Sequence, residues 1–159
     1  MPATQPKIIF PPEFEPTNCP VHVRNEISIN ASPEKVWNEL IRVKNWHEYY
    51  FNASKVDFLN EAGEDLTAKT KFKWKTFGAS LISNVEEFVP YTRLAWNAKG
   101  IGVWVYHAWL LVPTATGCHL ITEESQHGFI CRLGKIFMPN RMYNYHQIWL
   151  EKLKELVEK

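Results

Sequence analysis

The stretch from Val103 to His127 reads VWVYHAWLLVP-TATG-CHLITEESQH. Two runs rich in β-branched and aromatic residues, Val103 to Pro113 and Cys118 to His127, flank the turn-forming segment Thr114 to Gly117. That pattern predicts a β-hairpin. If Val112 lies opposite His119, Trp109 faces Thr122 and His107 faces Glu124. Opposed residues project to one face, so His107, Trp109, Leu111, Leu120, Thr122, Glu124 and Gln126 would share it. A slip of one residue would instead set Tyr106 and Ala108 against that group.

The upstream sequence continues in strands. Lys71, Lys73 and Lys75 alternate with Phe72 and Trp74, so one face is wet and the other buried. Gly78 marks a turn, Ala79 to Phe88 reads as the next strand, and Pro90-Tyr91 turns the chain. Arg93 to Ala98 follows with Leu94 and Trp96 inward, then a turn at Gly100 and Gly102. Nearer the N-terminus, Val23, Ile27 and Ile29 alternate with polar residues as in a half-buried strand. Ser32-Pro33-Glu34 then supplies an N-cap, a first-turn proline and an acid that complements the helix dipole. Val36, Trp37, Leu40 and Ile41 fall on one face of that helix. A further helical turn is expected within Trp46 to Phe51, and a strand around Lys55 to Leu59.

Downstream, a long helix is expected from Arg132 to the C-terminus, with Pro139 kinking or interrupting it near its start. Its stripe is Phe137, Met142, Tyr145, Trp149, Leu153 and Leu156. A sheet with one apolar face needs a cover, and this helix supplies it. The expected class is α+β, with Trp37, Trp46, Trp96 and Trp149 in the core.

Composition sets the bounds. A chain of 159 residues suits one domain, and 45% hydrophobic residues can fill a sizeable core. A net charge of +1 gives no electrostatic reason to expect nucleic acid or an anionic membrane as partner. Cys19, Cys118 and Cys131 include no CxxC pair, so reduced thiols and a cytoplasmic location are expected rather than a disulfide framework or structural zinc. No signal peptide and no integral membrane segment are expected. Residues 1–20 carry six prolines, Pro2, Pro6, Pro11, Pro12, Pro16 and Pro20, which disfavour helix and central strand. They read as an N-terminal arm, anchored by Ile8, Ile9, Phe10 and Phe14, ahead of a domain spanning 21–159.

The segment Ile27-Ser-Ile-Asn-Ala-Ser-Pro-Glu-Lys-Val-Trp37, followed by Trp46, resembles the opening of the polyketide cyclase/START-like (SRPBCC) superfamily. Val85-Glu-Glu-Phe-Val-Pro90 with Arg93-Leu-Ala-Trp96 resembles its middle signature, and Gly117 to Gly128 its last strand. The resemblance implies a helix-grip fold, in which a curved antiparallel sheet wraps around a long C-terminal helix and leaves an internal cavity. It also implies a last-strand carboxylate, Glu124, facing that cavity. Members include aromatic polyketide cyclases, plant hormone receptors, lipid carriers and chaperone activators. Cys118 stands where the family often has Thr.

These readings converge on a small hydrophobic or aromatic ligand in a pocket of roughly 300–1,000 Å³. The expected wall is Phe72, Trp74, Trp96, Trp109, Leu120 and Thr122 from the sheet, and Phe137, Met142 and Tyr145 from the helix. His107 and Glu124, or Tyr106 after a register slip, are the candidate acid/base groups. No metal is expected, since no HxH or HExxH spacing occurs, and no cofactor is expected. The leading expectation is a binding protein or carrier. The alternatives are an enzyme of cyclase or dehydratase type (a lyase or isomerase) and an interaction module, which would show an exposed apolar patch. Oligomeric state is left open.

Overall fold

A computed structural model describes residues 6–159. Seven strands form one antiparallel sheet: β1 (Val21–Ile29), β2 (Ser54–Phe58), β3 (Lys71–Thr76), β4 (Ala79–Val89), β5 (Arg93–Gly100), β6 (Val103–Pro113) and β7 (Cys118–His127). Their order is β1-β7-β6-β5-β4-β3-β2. The first strand thus closes against the last. Helices α1 (Pro33–Ile41) and α2 (Trp46–Tyr49) fill the crossing between β1 and β2. Ser32 caps α1 by accepting from the Lys35 backbone N–H at 3.2 Å, with Pro33 at the first helical position.

In the C-terminal region Pro139 interrupts the helix rather than kinking it. The region is two helices, α3 (Phe129–Phe137) and α4 (Arg141–Val157), with Pro139 in the break between them. A proline inside a helix removes a backbone donor and clashes with the preceding turn, so the chain ends one helix and starts another. This is the helix-grip fold: α4 lies across the concave face of the sheet, against β1 and α1.

The β6–β7 register is the one that pairs Val112 with His119, Trp109 with Thr122 and His107 with Glu124. Val105, His107, Trp109 and Leu111 therefore point to the concave face, and Trp104, Tyr106, Ala108 and Leu110 to the convex one. Both sets are apolar enough to need a cover. The concave set packs under α4 in the main core, which also holds Val36, Leu40, Trp46, Trp96, Trp149 and Leu153. The convex set is covered by the proline-rich arm. Two 3₁₀ turns, Pro12–Phe14 and Pro16–Asn18, hold Phe14 over the sheet. Its ring meets Trp104 at 4.5 Å and Tyr106 at 5.6 Å between centroids. Ile8 and Phe10 are half-buried beside it, while Ile9 stays exposed.

Phe14 is buried, so its truncation leaves a void over β6. Phe14→Ala is expected to lower unfolding stability by about 3 kcal/mol, against less than about 0.5 kcal/mol for Ile9→Ala. Urea titration followed by tryptophan fluorescence reads the difference. Equal losses would show that the arm adds nothing to the fold.

Candidate functional site: a cavity with one polar cluster

The interior between sheet and α4 is filled at one end and hollow at the other. The filled end is a tryptophan cluster. Trp46 lies 5.3 Å from Trp74, 5.5 Å from Trp96 and 4.9 Å from Trp149 between ring centroids, and its Nε1 donates to the Leu40 carbonyl at 2.9 Å. The hollow end is a cavity of 390 Å³. Its sheet wall includes Trp74, Trp96, Ala98, Val105, His107 and Glu124, and its helical wall runs from Ile130 on α3 to Trp149 on α4. Leu133, Phe137 and Met138 line it and are also exposed, so it opens to solvent beside α3.

The turn between β3 and β4 closes one side. Phe77 (φ 49°) and Gly78 (φ 76°) both have positive φ, as a two-residue hairpin turn of this twist requires. A phenylalanine rarely sits there. The conformation aims its ring at the cavity and stacks it on Tyr145 at 5.3 Å between centroids.

Three buried side chains meet at the cavity wall. His107 comes from β6, Glu124 from β7 and His146 from α4. His107 Nδ1 lies 3.1 Å from Glu124 Oε2, and His146 Nε2 lies 3.2 Å from the same oxygen. The Gln126 amide donates to the other carboxylate oxygen. On the far side of its ring, His107 Nε2 is 2.7 Å from the Thr122 hydroxyl, which itself donates to the Ala108 carbonyl at 3.1 Å.

The electrostatics follow from burial. Desolvation pushes the basicity of His107 down to about 3 against the attraction of Glu124, so the imidazole is neutral at ordinary pH. Burial also pushes the Glu124 pKa up, but both imidazoles and Gln126 outweigh it and hold the carboxyl at about 2. A neutral His107 has one N–H for two neighbours, the Thr122 hydroxyl at Nε2 and the Glu124 carboxylate at Nδ1. His146 Nδ1 is buried with no partner in the protein. The cluster is therefore rich in acceptors and short of a donor, and it faces the cavity.

The same three residues are the group, among those described, that could hold a metal ion. Their donor atoms lie within 4.8 Å of one another. One tetrahedral ion bound at about 2.0–2.2 Å from each donor would hold the donors about 3.3–3.6 Å apart, so the widest separation in the set would have to close by roughly an ångström or more. His107 has the outer partner, Thr122, that orients a liganding imidazole, whereas His146 has none.

Of the residues expected from sequence, His107, Glu124, Trp74, Trp96, Phe137 and Met142 line the cavity. Phe72, Trp109, Leu120 and Thr122 share the inward face but are packed solid in the interior, beyond the cavity wall. Tyr145 packs between Phe51 and Phe77, with the Arg141 guanidinium over its ring. Tyr106 lies on the convex face under Phe14 and is removed from any acid/base role in the cavity, because the register puts its parity outside. His119 and His127 share that outer face. They are half-buried, and His127 Nε2 lies 2.7 Å from the Glu13 carbonyl. His146 was missed. It sits four residues after Met142 and three before Trp149, so helical spacing puts it on the inward stripe of α4, and only the packing of α4 over the sheet brings it to Glu124.

A sheet gripping a C-terminal helix around a cavity defines the class: a cavity-bearing protein of the helix-grip type. The chain belongs to the family described as polyketide cyclase / dehydrase and lipid transport, whose model matches residues 20–158. No curated protein matches it by sequence. Among solved structures it is similar to the hypothetical protein jhp0584 from Helicobacter pylori. That protein is 30% identical, with 97% of this chain and 98% of that one covered and a TM-score of 0.89. TTHA0849 from Thermus thermophilus is 18% identical, with 86% and 97% covered and a TM-score of 0.70. The di-domain ARO/CYC BexL from the BE-7585A biosynthetic pathway is 12% identical, with 87% and 50% covered and a TM-score of 0.67. The last two show the fold alone.

Acid tests the cluster. Unfolded His107 takes a proton below its ordinary pKa of 6.5, while folded His107 stays neutral down to about 3. Stability is complete above pH 6.5 and falls as pH drops through that window, by up to about 1.4 kcal/mol per pH unit. Glu124 adds a loss of the same sign between 4.5 and about 2. His107→Gln is expected to flatten the slope of stability against pH between 6.5 and 4.5 in urea titrations. A slope identical to wild type would mean that His107 is already charged in the fold.

Proposed function

We propose that the protein binds a small, largely apolar or aromatic molecule carrying a hydrogen-bond donor, with the donor held by the His107–Glu124–His146 cluster. The single observation behind this reading is an acceptor-rich, buried cluster set in the wall of a cavity that is otherwise mainly apolar. Apolar walls supply affinity without direction, and a few fixed polar groups set orientation. Trp74 and Trp96 offer flat surfaces to a flat ligand. Met142 adds an adaptable one; its sulfur also accepts from the Gln126 amide at 3.1 Å.

A second reading is supported by the same atoms. A carboxylate beside a bare imidazole nitrogen can take a proton from a bound hydroxyl or an acidic C–H and return it elsewhere on the molecule. That is the chemistry a cyclase or dehydratase needs, and the family description and the ARO/CYC neighbour are in keeping with it. In the carrier reading the ligand leaves unchanged. In the enzyme reading Glu124→Gln would cost about 10²–10⁴ in rate.

Two probes separate the cluster from the walls. 2-Naphthol and naphthalene differ by one hydroxyl, and binding of either is read by quenching of tryptophan fluorescence. Wild type is expected to prefer 2-naphthol by roughly tenfold or more, since a hydrogen bond to a charged group contributes about 1.5–3 kcal/mol. Glu124→Gln is expected to abolish that preference while leaving naphthalene affinity unchanged. Equal affinity of wild type for both probes, or binding of neither, would overturn the reading.

A further inference from the structure

α3 is apolar on more sides than the cavity needs. Ile130, Leu133, Phe137 and Met138 line the cavity. Phe129 and Ile136 do not, and both are exposed, Ile136 at 69%. Ile101, at the tip of the β5–β6 turn, is exposed at 92%. The two elements are continuous. Gly102 has φ 68°, and a Cβ there would lie 2.6 Å from both Phe129 and Ile130, so α3 begins directly on the turn. The Ile130 backbone N–H donates to the Gly102 carbonyl at 3.1 Å. Ile101, Phe129, Ile136 and Phe137 thus form an exposed apolar patch at the cavity mouth.

The charge around this patch is one-sided. From Ser125 to Leu150 the sequence contains no Asp or Glu, and its formal cations are Arg132, Lys135 and Arg141. Arg132 and Lys135 sit on α3 itself, and Arg141 opens α4. The acids of α4, Glu151 and Glu155, come only at its far end. The segment that carries the exposed apolar helix therefore holds three formal cations and no acid. Aromatic and aliphatic side chains flanked by Lys and Arg are the composition of a helix that lies in the boundary of an anionic bilayer. A protein partner of opposite charge would need no run of large aliphatic and aromatic groups as exposed as Ile101 and Ile136. A second copy of this chain would bring like charges together.

We propose that α3 and the β5–β6 tip dock the protein on an anionic phospholipid surface, with the cavity mouth turned toward the bilayer. Ile101, Phe129, Ile136 and Phe137 enter the acyl boundary, and Arg132, Lys135 and Arg141 lie at headgroup level. An apolar ligand then passes between membrane and cavity without crossing water. The docking itself does not depend on what the cavity holds.

The test is co-sedimentation with phosphatidylcholine vesicles, with and without phosphatidylglycerol. Wild type is expected to sediment with the anionic vesicles, more weakly at high salt, and hardly at all with phosphatidylcholine alone. Removing one cation, as in Arg132→Gln, should cost about fivefold in affinity. The double substitution Ile101→Glu and Ile136→Glu touches neither core nor cavity wall. It should abolish sedimentation while leaving the unfolding midpoint and the 2-naphthol affinity at wild-type values. Sedimentation that survives the double substitution would overturn the proposal. So would a failure of wild type to bind either vesicle. If sedimentation equilibrium instead showed a dimer that the double substitution dissolves, with no vesicle binding, the face would be an interface between copies and the proposal would fall. If docking held while 2-naphthol failed to bind, the membrane surface would stand and the ligand reading would not.

Discussion

The requirement that both faces of one strand be covered organises the molecule. β6 is apolar on its concave side at Val105, Trp109 and Leu111, and on its convex side at Trp104, Tyr106 and Leu110. A half-wet antiparallel sheet would alternate apolar and polar residues, and this strand does not. The concave side calls α4 across the sheet. The convex side calls back the N-terminal arm, whose prolines deny it regular structure but leave Phe14 a surface to bury. The arm is thus packed against the domain by the same hydrophobic term that builds the core.

Covering the concave side leaves a second constraint. One helix cannot fill the whole trough of a seven-stranded sheet. Tryptophans fill the end near α1 and α2, and the other end stays open as the cavity. Glu124 lies beside that void. A buried carboxylate is costly unless it is paired and hydrogen-bonded. Here three elements supply partners: His107 from β6, Gln126 from β7 itself and His146 from α4. The cluster ties helix to sheet at the cavity wall, so its chemistry and its structural role rest on the same contacts.

The break at Pro139 has an effect of its own. An uninterrupted helix would carry its whole stripe onto the sheet. The break instead frees α3 to turn over the cavity, where it divides its apolar residues between the interior and the surface. That division explains how a near-neutral chain can carry an exposed apolar helix in a segment without acids.

The sequence by itself determined the strands and the first helix, and narrowed the β6–β7 pairing to two registers one residue apart, because residue alternation and turn chemistry act over a few neighbouring positions. His107 and Glu124 were legible as a facing pair for that reason, with Tyr106 as the one-residue slip that the actual pairing excludes. Phe72, Trp109, Leu120 and Thr122 have the right parity but the wrong depth. Parity says which face a side chain takes, and only packing against α4, α1 and α2 says whether that part of the face is filled or hollow. His146 joined the pair only through the crossing of α4 over β6 and β7, which no local pattern encodes. The tertiary structure alone decided where the cavity lies, that a third residue completes its polar cluster, and that α3 turns an apolar side outward. Each depends on contacts between segments far apart in the chain, and on space left over after the large side chains have packed.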